Sequence, residues 1–320
     1  MRILIVKTSS LGDVVHNLPV ASDLARRFPG VEIDWGVEEG FADIPRLHPA
    51  VRQVIPVAVR RWRKRLFSPE TWREIGTFRR AVGADSYDAI LDTQGLLKSA
   101  LIATQARGEK LGHAADSARE PLAARFYDRA FTIPKNLHAV LRNRLLAAAA
   151  LGYPLDELPL DYGIAAPPLV APWLPAGNGG DCAVLLTATS RADKGWPEPD
   201  WQALGTALIA MGMRCVLPGG SAAERGRAAR IAAVLGRAVA APAMGLAEMA
   251  GLLAGAKLVV GVDTGLVHLA AALGRPTVAL YCASDPALTG VLAGERAVNL
   301  GSPGAPPTAG AVVAAAMGML

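Results

Sequence analysis

The sequence predicts an α/β protein built from two Rossmann-like, doubly wound domains. Its 320 residues are about twice a typical domain length. Short apolar runs alternate with helical patterns in both halves, which is typical of parallel sheets with crossover helices. A segment rich in proline and glycine, residues 165–180, separates the halves. We therefore expect one domain over residues 1–166 and a second over residues 167–320.

The predicted elements follow this division. In the first domain, apolar runs indicate strands at residues 2–6, 32–37 and 89–92, with a helix at 12–27. In the second, strands are expected at residues 182–187, 214–217, 257–262 and 277–281, and helices at 201–211, 223–235 and 265–273. Two such domains would face each other across a cleft between the carboxyl ends of their strands, where these folds bind ligands.

Composition narrows the class of protein. The three cysteines, Cys182, Cys215 and Cys282, are scattered in apolar surroundings, which favours buried thiols and a reducing, cytoplasmic compartment. The opening MRILIV has no cleavage site after it and is expected to be the first strand, not a signal peptide. No apolar run approaches the ~18 residues of a membrane-spanning helix.

The net charge of +5 indicates an anionic partner. Much of this charge lies in VRRWRKRLF, residues 59–67. Nucleic acid is disfavoured as the partner because no recognised nucleic-acid module accompanies the segment. A dehydrogenase is disfavoured because the Gly-x-Gly-x-x-Gly fingerprint of dinucleotide binding is missing from the sequence.

The segment KTSSLGDVVH, residues 7–16, passes from the first strand into a helix. Ser9, Ser10 and Gly12 allow the turn and present backbone donors at the helix N-terminus, where anions are favoured. Asp13 then has two interpretations, which the spacing alone leaves open. It is either a first-turn carboxylate that complements the helix dipole or a general base facing the cleft.

Two segments of the second domain suit a phosphate. In TATSRADKGWP, residues 187–197, hydroxyl side chains precede Lys194. Hydroxyls together with one cation can bind the oxygens of a diphosphate. The alternative is that this segment is an ordinary polar loop. In GVDTGLVHLAAALGRP, residues 261–276, Thr264 and Gly265 would offer free N–H groups at a helix start. His268 lies one turn later, and it could face either a ligand or the core.

These segments also carry a family resemblance. Together with VEEGFADIP, LDTQGLLKSAL and AREPLAARFY, they resemble the ADP-heptose:lipopolysaccharide heptosyltransferases over residues 1–286. The basic segment beside AREPLA points to the first enzyme of that series. The resemblance implies a GT-B fold and inverting, metal-independent glycosyl transfer without a cofactor. The donor would be ADP-heptose, and the acceptor would be the inner Kdo of Kdo2-lipid A at the cytoplasmic face of the inner membrane.

The resemblance also implies roles for individual residues. Asp13 would be the general base and Lys194 the group that neutralises the leaving diphosphate. The donor would be held by Thr189, Ser190, Lys194, Glu224, Met244, Asp263, Thr264, Gly265 and His268. The acceptor would be held by Ser10, Gly12, Arg60, Arg61, Arg63, Lys64, Lys98 and Arg119. The chain has no Asp-x-Asp pair, so we expect no divalent metal.

Three alternatives remain at this stage: a later heptosyltransferase, a transferase of the same fold that uses another nucleotide-sugar, and a non-catalytic nucleotide- or lipid-binding module. In GT-B folds the last helix usually crosses back to the first domain. The tail of this chain, TAGAVVAAAMGML, is short and rich in alanine, so the packing of its helix is an open question.

Overall fold

The computed structural model describes residues 1–169, 171–174, 181–189 and 191–320. Of the predicted site residues, Ser190 lies outside this part of the chain. The chain divides into two compact units, Met1–Ile164 and Ala165–Leu320. Each unit is described by itself below.

The first unit is a parallel sheet with helices connecting its strands. Its strands are β1 (Arg2–Val6), β2 (Glu32–Glu38), β3 (Val51–Val57), β4 (Ala89–Asp92), β5 (Lys110–His113) and β6 (Arg129–Phe131). Its α-helices are α1 (Leu11–Val15), α2 (Leu18–Arg27), α3 (Asp43–Arg46), α4 (Val59–Trp62), α5 (Pro69–Gly83), α6 (Leu97–Ala103) and α7 (Ala139–Leu151). The strand order is β3-β2-β1-β4-β5-β6, so the order reverses between β1 and β4.

The single helix expected at residues 12–27 is wrong: two helices, α1 and α2, fill this stretch. Asn17 is the N-cap of α2, and Pro19 stands in its first turn. A proline has no N–H to donate and clashes with the preceding turn, so the helix restarts there instead of continuing. The break leaves α1 as one short turn that carries Asp13.

The second unit repeats the topology of the first. Its strands are β7 (Cys182–Leu186), β8 (Arg214–Leu217), β9 (Ala238–Ala240), β10 (Leu258–Val262), β11 (Thr277–Leu280) and β12 (Ala297–Leu300). Its α-helices are α8 (Glu198–Ala210), α9 (Ala222–Val234), α10 (Leu246–Gly255), α11 (Gly265–Ala272), α12 (Pro286–Thr289) and α13 (Ala309–Gly318). The sheet is again parallel, in the order β12-β11-β10-β7-β8-β9, and the order reverses between β7 and β10.

Each unit has its own hydrophobic core. Trp35 and Leu24 are fully buried in the first unit, and Trp196, Trp201 and Leu204 in the second. All three cysteines are buried, as their apolar surroundings indicated, and they form no disulfide bond within the described part of the chain. Among the described residues, no helix is long and apolar enough to span a membrane.

The last helix, α13, belongs to the core of the second unit. Its residues Val312 and Ala316 are fully buried there, in the same cluster as Trp201 and Leu204 of α8. Thr308 caps its first turn through a hydrogen bond from the Ala311 N–H to Oγ1 (3.3 Å). The short alanine-rich tail therefore completes the second unit.

Candidate active site

In both units, two of the candidate site residues follow the carboxyl ends of the strands next to the reversal of strand order. Asp13 lies in the connection after β1, and Lys98 in the helix after β4. In the second unit Lys194 lies after β7, and Asp263 directly follows β10. A parallel sheet opens into a crevice at such a point, because neighbouring connections leave on opposite faces.

Asp13 is held by hydrogen bonds to both of its carboxylate oxygens. Oδ2 accepts from the backbone N–H of Ser10 (2.8 Å) and from its hydroxyl (3.2 Å). Oδ1 accepts from the guanidinium of Arg119 (2.9 Å), and 15% of the Asp13 side chain is exposed. The carboxylate therefore caps α1 with one oxygen and pairs with a cation through the other. Gly12 lies beside it in α1, partly exposed.

Burial by itself raises the pKa of Asp13, but Lys7, Arg119 and the bonds from Ser10 outweigh this effect and lower the pKa below its usual range. Lys7 is 5% exposed and donates to the carbonyl of Thr93 (2.8 Å) and to Oδ1 of Asn143 (3.2 Å). Burial lowers the pKa of Lys7 to about 8. At neutral pH Asp13 is thus ionised and able to accept a proton.

Gln94 fixes the turn that precedes Asp13. Its Oε1 accepts from the backbone N–H of Thr8 (2.6 Å) and from the Thr8 hydroxyl (2.8 Å), and its Nε2 donates to the carbonyl of Ser9 (2.6 Å). Asp92, at the end of β4, in turn accepts from the Gln94 N–H (2.8 Å). Gln94 therefore ties the β1 turn to the end of the neighbouring strand. Sequence reasoning assigned no role to it.

A small cavity of about 20 Å³ adjoins Asp13. Basic groups dominate the charge of its wall, which is formed by Lys7, Asp13, Thr93, Gln94, His113, Arg119, Ala139, Arg142 and Asn143. Burial, Arg142 and Lys7 lower the pKa of His113 to about 3, so its ring is neutral at physiological pH. The single carboxylate in the wall is Asp13. The wall therefore places a net positive charge next to the candidate base.

The basic segment lies near Asp13. Lys98 donates to the hydroxyl of Ser9 (2.7 Å). Burial lowers the pKa of Lys98, while Glu38 raises it and Arg60 and Arg63 lower it further. Arg60 also lies over the ring of Phe41, with 5.2 Å between its guanidinium carbon and the ring centre. Arg60 and Lys64 help to line an open pocket of about 500 Å³ with Glu38, Glu39 and Phe41.

Arg61 differs from the other predicted acceptor-binding cations. It forms two hydrogen bonds with Glu39 (3.0 Å each) and one with Glu74 (2.8 Å). Its charge is thus already balanced by two carboxylates of the protein. These bonds hold α4 against its neighbours. Arg63 and Lys64 are exposed like Arg61, but they form no ion pair with the described carboxylates.

In the second unit, Lys194 and Asp263 form an ion pair. The ammonium Nζ of Lys194 lies 2.5 Å from Oδ2 of Asp263, and the hydroxyl of Ser284 donates to the same oxygen (2.5 Å). His268 is buried, and its Nε2 lies 3.6 Å from Oδ1 of Asp263. Burial raises the pKa of Asp263, but His268, Lys194 and Ser284 together lower it well below its usual range. His268 thus supports this carboxylate, and Ser284 is a member of the cluster that sequence reasoning missed.

The hydroxyls and amides of this cluster face the same edge of the sheet. Thr189 follows β7 and is partly exposed. Thr264 is the N-cap of α11, and its Oγ1 is buried without a hydrogen-bond partner among the described residues. Gly265 begins the helix, so its N–H points out of the N-terminus with those of the next residues. An unsatisfied hydroxyl at a helix start suits an anionic ligand.

Glu224 and Met244 lie beyond the ends of β8 and β9. Oε2 of Glu224 accepts from the backbone N–H groups of Gly220 and Ser221 (2.9 Å each), which closes the N-terminus of α9. This capping role uses one oxygen of the carboxylate and leaves Oε1 for a ligand hydroxyl. Met244 is partly exposed in the loop before α10. Within the described ranges, no three His, Cys, Asp or Glu side chains are grouped as metal ligands.

Residues 75–311 match the glycosyltransferase family 9 (heptosyltransferase), and the chain belongs to this family. The family resemblance predicted from the sequence is thereby confirmed, and so is the fold: two parallel six-stranded sheets with the strand order of a doubly wound fold.

The chain is similar to named relatives over most of its length. It is 50% identical over 291 residues to lipopolysaccharide heptosyltransferase 1 of Escherichia coli strain K12, which covers 91% of this chain and 90% of the relative. It is 49% identical over 304 residues to the Pseudomonas aeruginosa protein of the same name, covering 94% and 84%. Among solved structures, the E. coli heptosyltransferase WaaC with ADP is 46% identical, with a TM-score of 0.90 and 98% of both chains covered. WaaC with ADP-2-deoxy-2-fluoro heptose gives a TM-score of 0.87.

Proposed function

We propose that this protein transfers L-glycero-D-manno-heptose from ADP-heptose to the inner Kdo of Kdo2-lipid A in the biosynthesis of the lipopolysaccharide inner core. The observation that carries the proposal is the 50% identity to lipopolysaccharide heptosyltransferase 1 across 91% of the chain. The structures of the similar WaaC with ADP and with a fluorinated ADP-heptose support the donor. The exposed cations beside Asp13 support an anionic acceptor.

In the proposed reaction, Asp13 takes the proton from an acceptor hydroxyl as that oxygen attacks the anomeric carbon of heptose. The bond between this carbon and the diphosphate oxygen breaks, and ADP leaves from the opposite face, so the configuration inverts. Lys194, Thr189, Ser190, Thr264 and the N-terminus of α11 would stabilise the charge that develops on the diphosphate.

The remaining donor contacts complete this proposal. The ribose hydroxyls would bind the free oxygen of Glu224, and Met244 would line the adenine pocket. Asp263 and His268 would face the heptose or the phosphate. The acceptor would bind Ser10, Gly12, Arg60, Arg63, Lys64, Lys98 and Arg119, with Arg61 holding the segment in place.

We further propose that the reaction needs no metal or other cofactor, and that it takes place in the cytoplasm on the inner face of the inner membrane. Catalysis by Lys194 and a helix N-terminus predicts full activity in EDTA. Loss of activity in EDTA that Mg²⁺ or Mn²⁺ restores would contradict the metal-free scheme.

The decisive experiment is mass spectrometry of the product formed by the purified protein from ADP-heptose and Kdo2-lipid A. Addition of one heptose, together with release of ADP, is expected. UDP-sugars in place of ADP-heptose should give no product. A product that forms only on an acceptor already carrying heptose would instead assign a later step in the series, and no product with any donor would indicate a binding module.

A further inference from the structure

The connection between α4 and α5 exposes three large apolar side chains close together in sequence. Leu66 is 49% exposed, Trp72 is 61% exposed, and Phe67 is fully exposed at 101%. Phe67 is the most exposed large hydrophobic side chain in the described part of the chain. We name residues 66–72 the apolar tip. A soluble surface seldom leaves an aromatic ring entirely in water beside two other large apolar groups, so the tip points to a binding surface.

The tip has a defined conformation. The indole N–H of Trp72 donates to the carbonyl of Leu66 (2.8 Å), which closes the loop across its base. The backbone N–H of Ser68 donates to the carbonyl of Arg65 (3.0 Å), and Ser68 is the N-cap of α5. These bonds fix the backbone on both sides of Phe67, so its exposure follows from the fold of the loop.

Cationic residues flank the tip along the chain. Residues 60–73 contain Arg60, Arg61, Arg63, Lys64, Arg65 and Arg73, against one carboxylate, Glu70. Arg63, Lys64 and Arg65 are exposed, and their side chains form no ion pair with the described carboxylates. Their charges are therefore available to an external anion, unlike that of Arg61.

We propose that the apolar tip inserts into the interface of an anionic lipid bilayer, with the cations around it on the lipid headgroups. Phenylalanine, leucine and tryptophan are the side chains that enter the boundary between headgroups and acyl chains, and arginine and lysine beside them add attraction to anionic lipids. The charge around the tip is complementary to such a surface. The insertion would orient the protein on the membrane, with the basic segment at the level of the headgroups.

The neighbouring groove does not share this character. It has a volume of about 480 Å³ between β3 and α5, and its wall includes Glu39, Glu70 and Glu74. Arg61 and Arg73 line the same wall, so its charges are of both signs and largely offset one another. The assignment therefore concerns the outward tip and not the groove behind it.

This inference rests on the proposed function in one respect, since a lipid-linked acceptor explains why the protein would bind a membrane. Vesicle binding needs neither donor nor acceptor, however, so the membrane role of the tip and the proposed transfer reaction can fail separately. The probe is large vesicles of phosphatidylethanolamine and phosphatidylglycerol in a 3:1 ratio, with phosphatidylcholine vesicles as the uncharged comparison, and the readout is co-sedimentation.

The test variant is Leu66→Ser with Phe67→Ser. We expect its partition into anionic vesicles to fall about tenfold or more, while the wild type binds them better than the uncharged ones. The matched control replaces two exposed apolar residues of the second unit, Val234→Ser with Met317→Ser, and should bind like the wild type. In a separate Phe67→Trp variant, lipids brominated on their acyl chains should quench the added fluorescence.

Two results would overturn the proposal. The first is unchanged vesicle binding of the Leu66→Ser, Phe67→Ser variant together with no quenching of Phe67→Trp. The second is that the Leu66→Ser, Phe67→Ser variant binds vesicles like the wild type and has a raised KM for Kdo2-lipid A. In that case its KM for the same acceptor without acyl chains would be normal. That second pattern would place the tip against the acyl chains of the acceptor molecule instead of the bilayer.

Discussion

As the proposed base, Asp13 would have to be ionised at neutral pH, and its neighbours favour that state. The Ser10 amide and hydroxyl, Arg119 and the buried Lys7 all stabilise the carboxylate form. The same contacts fix its orientation, which matters for proton transfer as much as its pKa does.

Replacing Asp13 tests the proposed base directly. Asp13→Asn should lower kcat by roughly 10²–10⁴-fold with little change in ADP-heptose affinity, because the amide keeps the capping geometry but cannot take the proton. Steady-state kinetics and donor titration measure both. Asp156→Asn, at an exposed aspartate, is the control. If Asp13→Asn kept more than about a tenth of wild-type kcat, Asp13 would only cap α1.

The charge of Lys7 should shift the acid limb of the pH profile of kcat/KM. Because its charge lowers the pKa of Asp13, removing that charge raises this pKa, and the acid limb of kcat/KM should move to higher pH in Lys7→Gln. Glutamine keeps a donor for the Thr93 carbonyl, which limits structural damage. Lys257→Gln, at an exposed lysine of the second unit, should leave the limb in place. A reduced rate without any shift of the limb would contradict the electrostatic role.

Lys194 should act on the leaving diphosphate. Lys194→Ala is expected to lower kcat roughly 10²–10³-fold, the range for loss of one preorganised group that stabilises charge in a transition state. Arg191→Ala in the same loop is the matched control, since that guanidinium is exposed and pairs with Asp193. Equal effects of the two substitutions on single-turnover rates would rule out a specific role for Lys194.

The sequence could predict which residues are charged and where strands end, but not which charges are already paired. No sequence pattern marks Lys7 as a buried cation, because its burial depends on Thr93 and Asn143, which are distant in sequence. Arg61 looked equivalent to its neighbours until Glu39 and Glu74 were placed beside it. Such pairings arise from tertiary contacts, which no local pattern records.

At the scale of elements, the basic segment is a short helix, α4, followed by an exposed connection to α5. The exposed Arg63 and Lys64 and the nearby Arg60 are its predicted contacts with acceptor. Arginine binds carboxylates and phosphates through paired hydrogen bonds, and exposed cations lose their attraction as salt rises.

Replacing Arg60, Arg63 and Lys64 together with alanine should therefore raise the KM for the acceptor by about two orders of magnitude, because each contact contributes about 1 kcal/mol. Donor KM should hardly change, and the wild-type acceptor KM should itself rise with salt. Alanine at the exposed Arg79, Arg107 and Lys135 removes the same charge elsewhere in the unit and is the control. If both triple variants show the same acceptor KM at low salt, the segment is only a solvated surface.

The buried central strands were predicted well because they are continuous apolar runs: β1, β4, β8 and β10 lie within a residue of their expected positions. The edge strands β3, β6, β9 and β12 were not predicted, and neither was the short interior strand β5. β3 is exposed at several positions, as its VRQVIPV sequence shows, and β9 is only three residues long. An edge strand has only one neighbouring strand and is partly exposed to solvent. Its run of apolar residues is therefore less continuous than that of a strand buried on both sides.

At the scale of the whole molecule, each unit buries its own core, and this predicts two separable steps of unfolding. Leu204→Ala should destabilise the second unit by about 2–5 kcal/mol, and Leu24→Ala should do the same to the first. ADP should raise the midpoint of the transition that Leu204→Ala lowers, since the proposed donor site lies in that unit. Calorimetry with and without ADP distinguishes the unfolding transitions of the two units. Stabilisation of the Leu24-sensitive transition alone would contradict this donor site.

The ion pair between Lys194 and Asp263 has a consequence for turnover. In the proposed donor site, a diphosphate that binds Lys194 would displace a carboxylate that the protein itself supplies, so binding would replace one anion with another. The affinity for ADP would be lower by the free energy of the ion pair that is given up. When ADP leaves, the ion pair would form again, because Ser284 and His268 hold the carboxylate of Asp263 in place. This internal counter-ion would therefore favour release of the product.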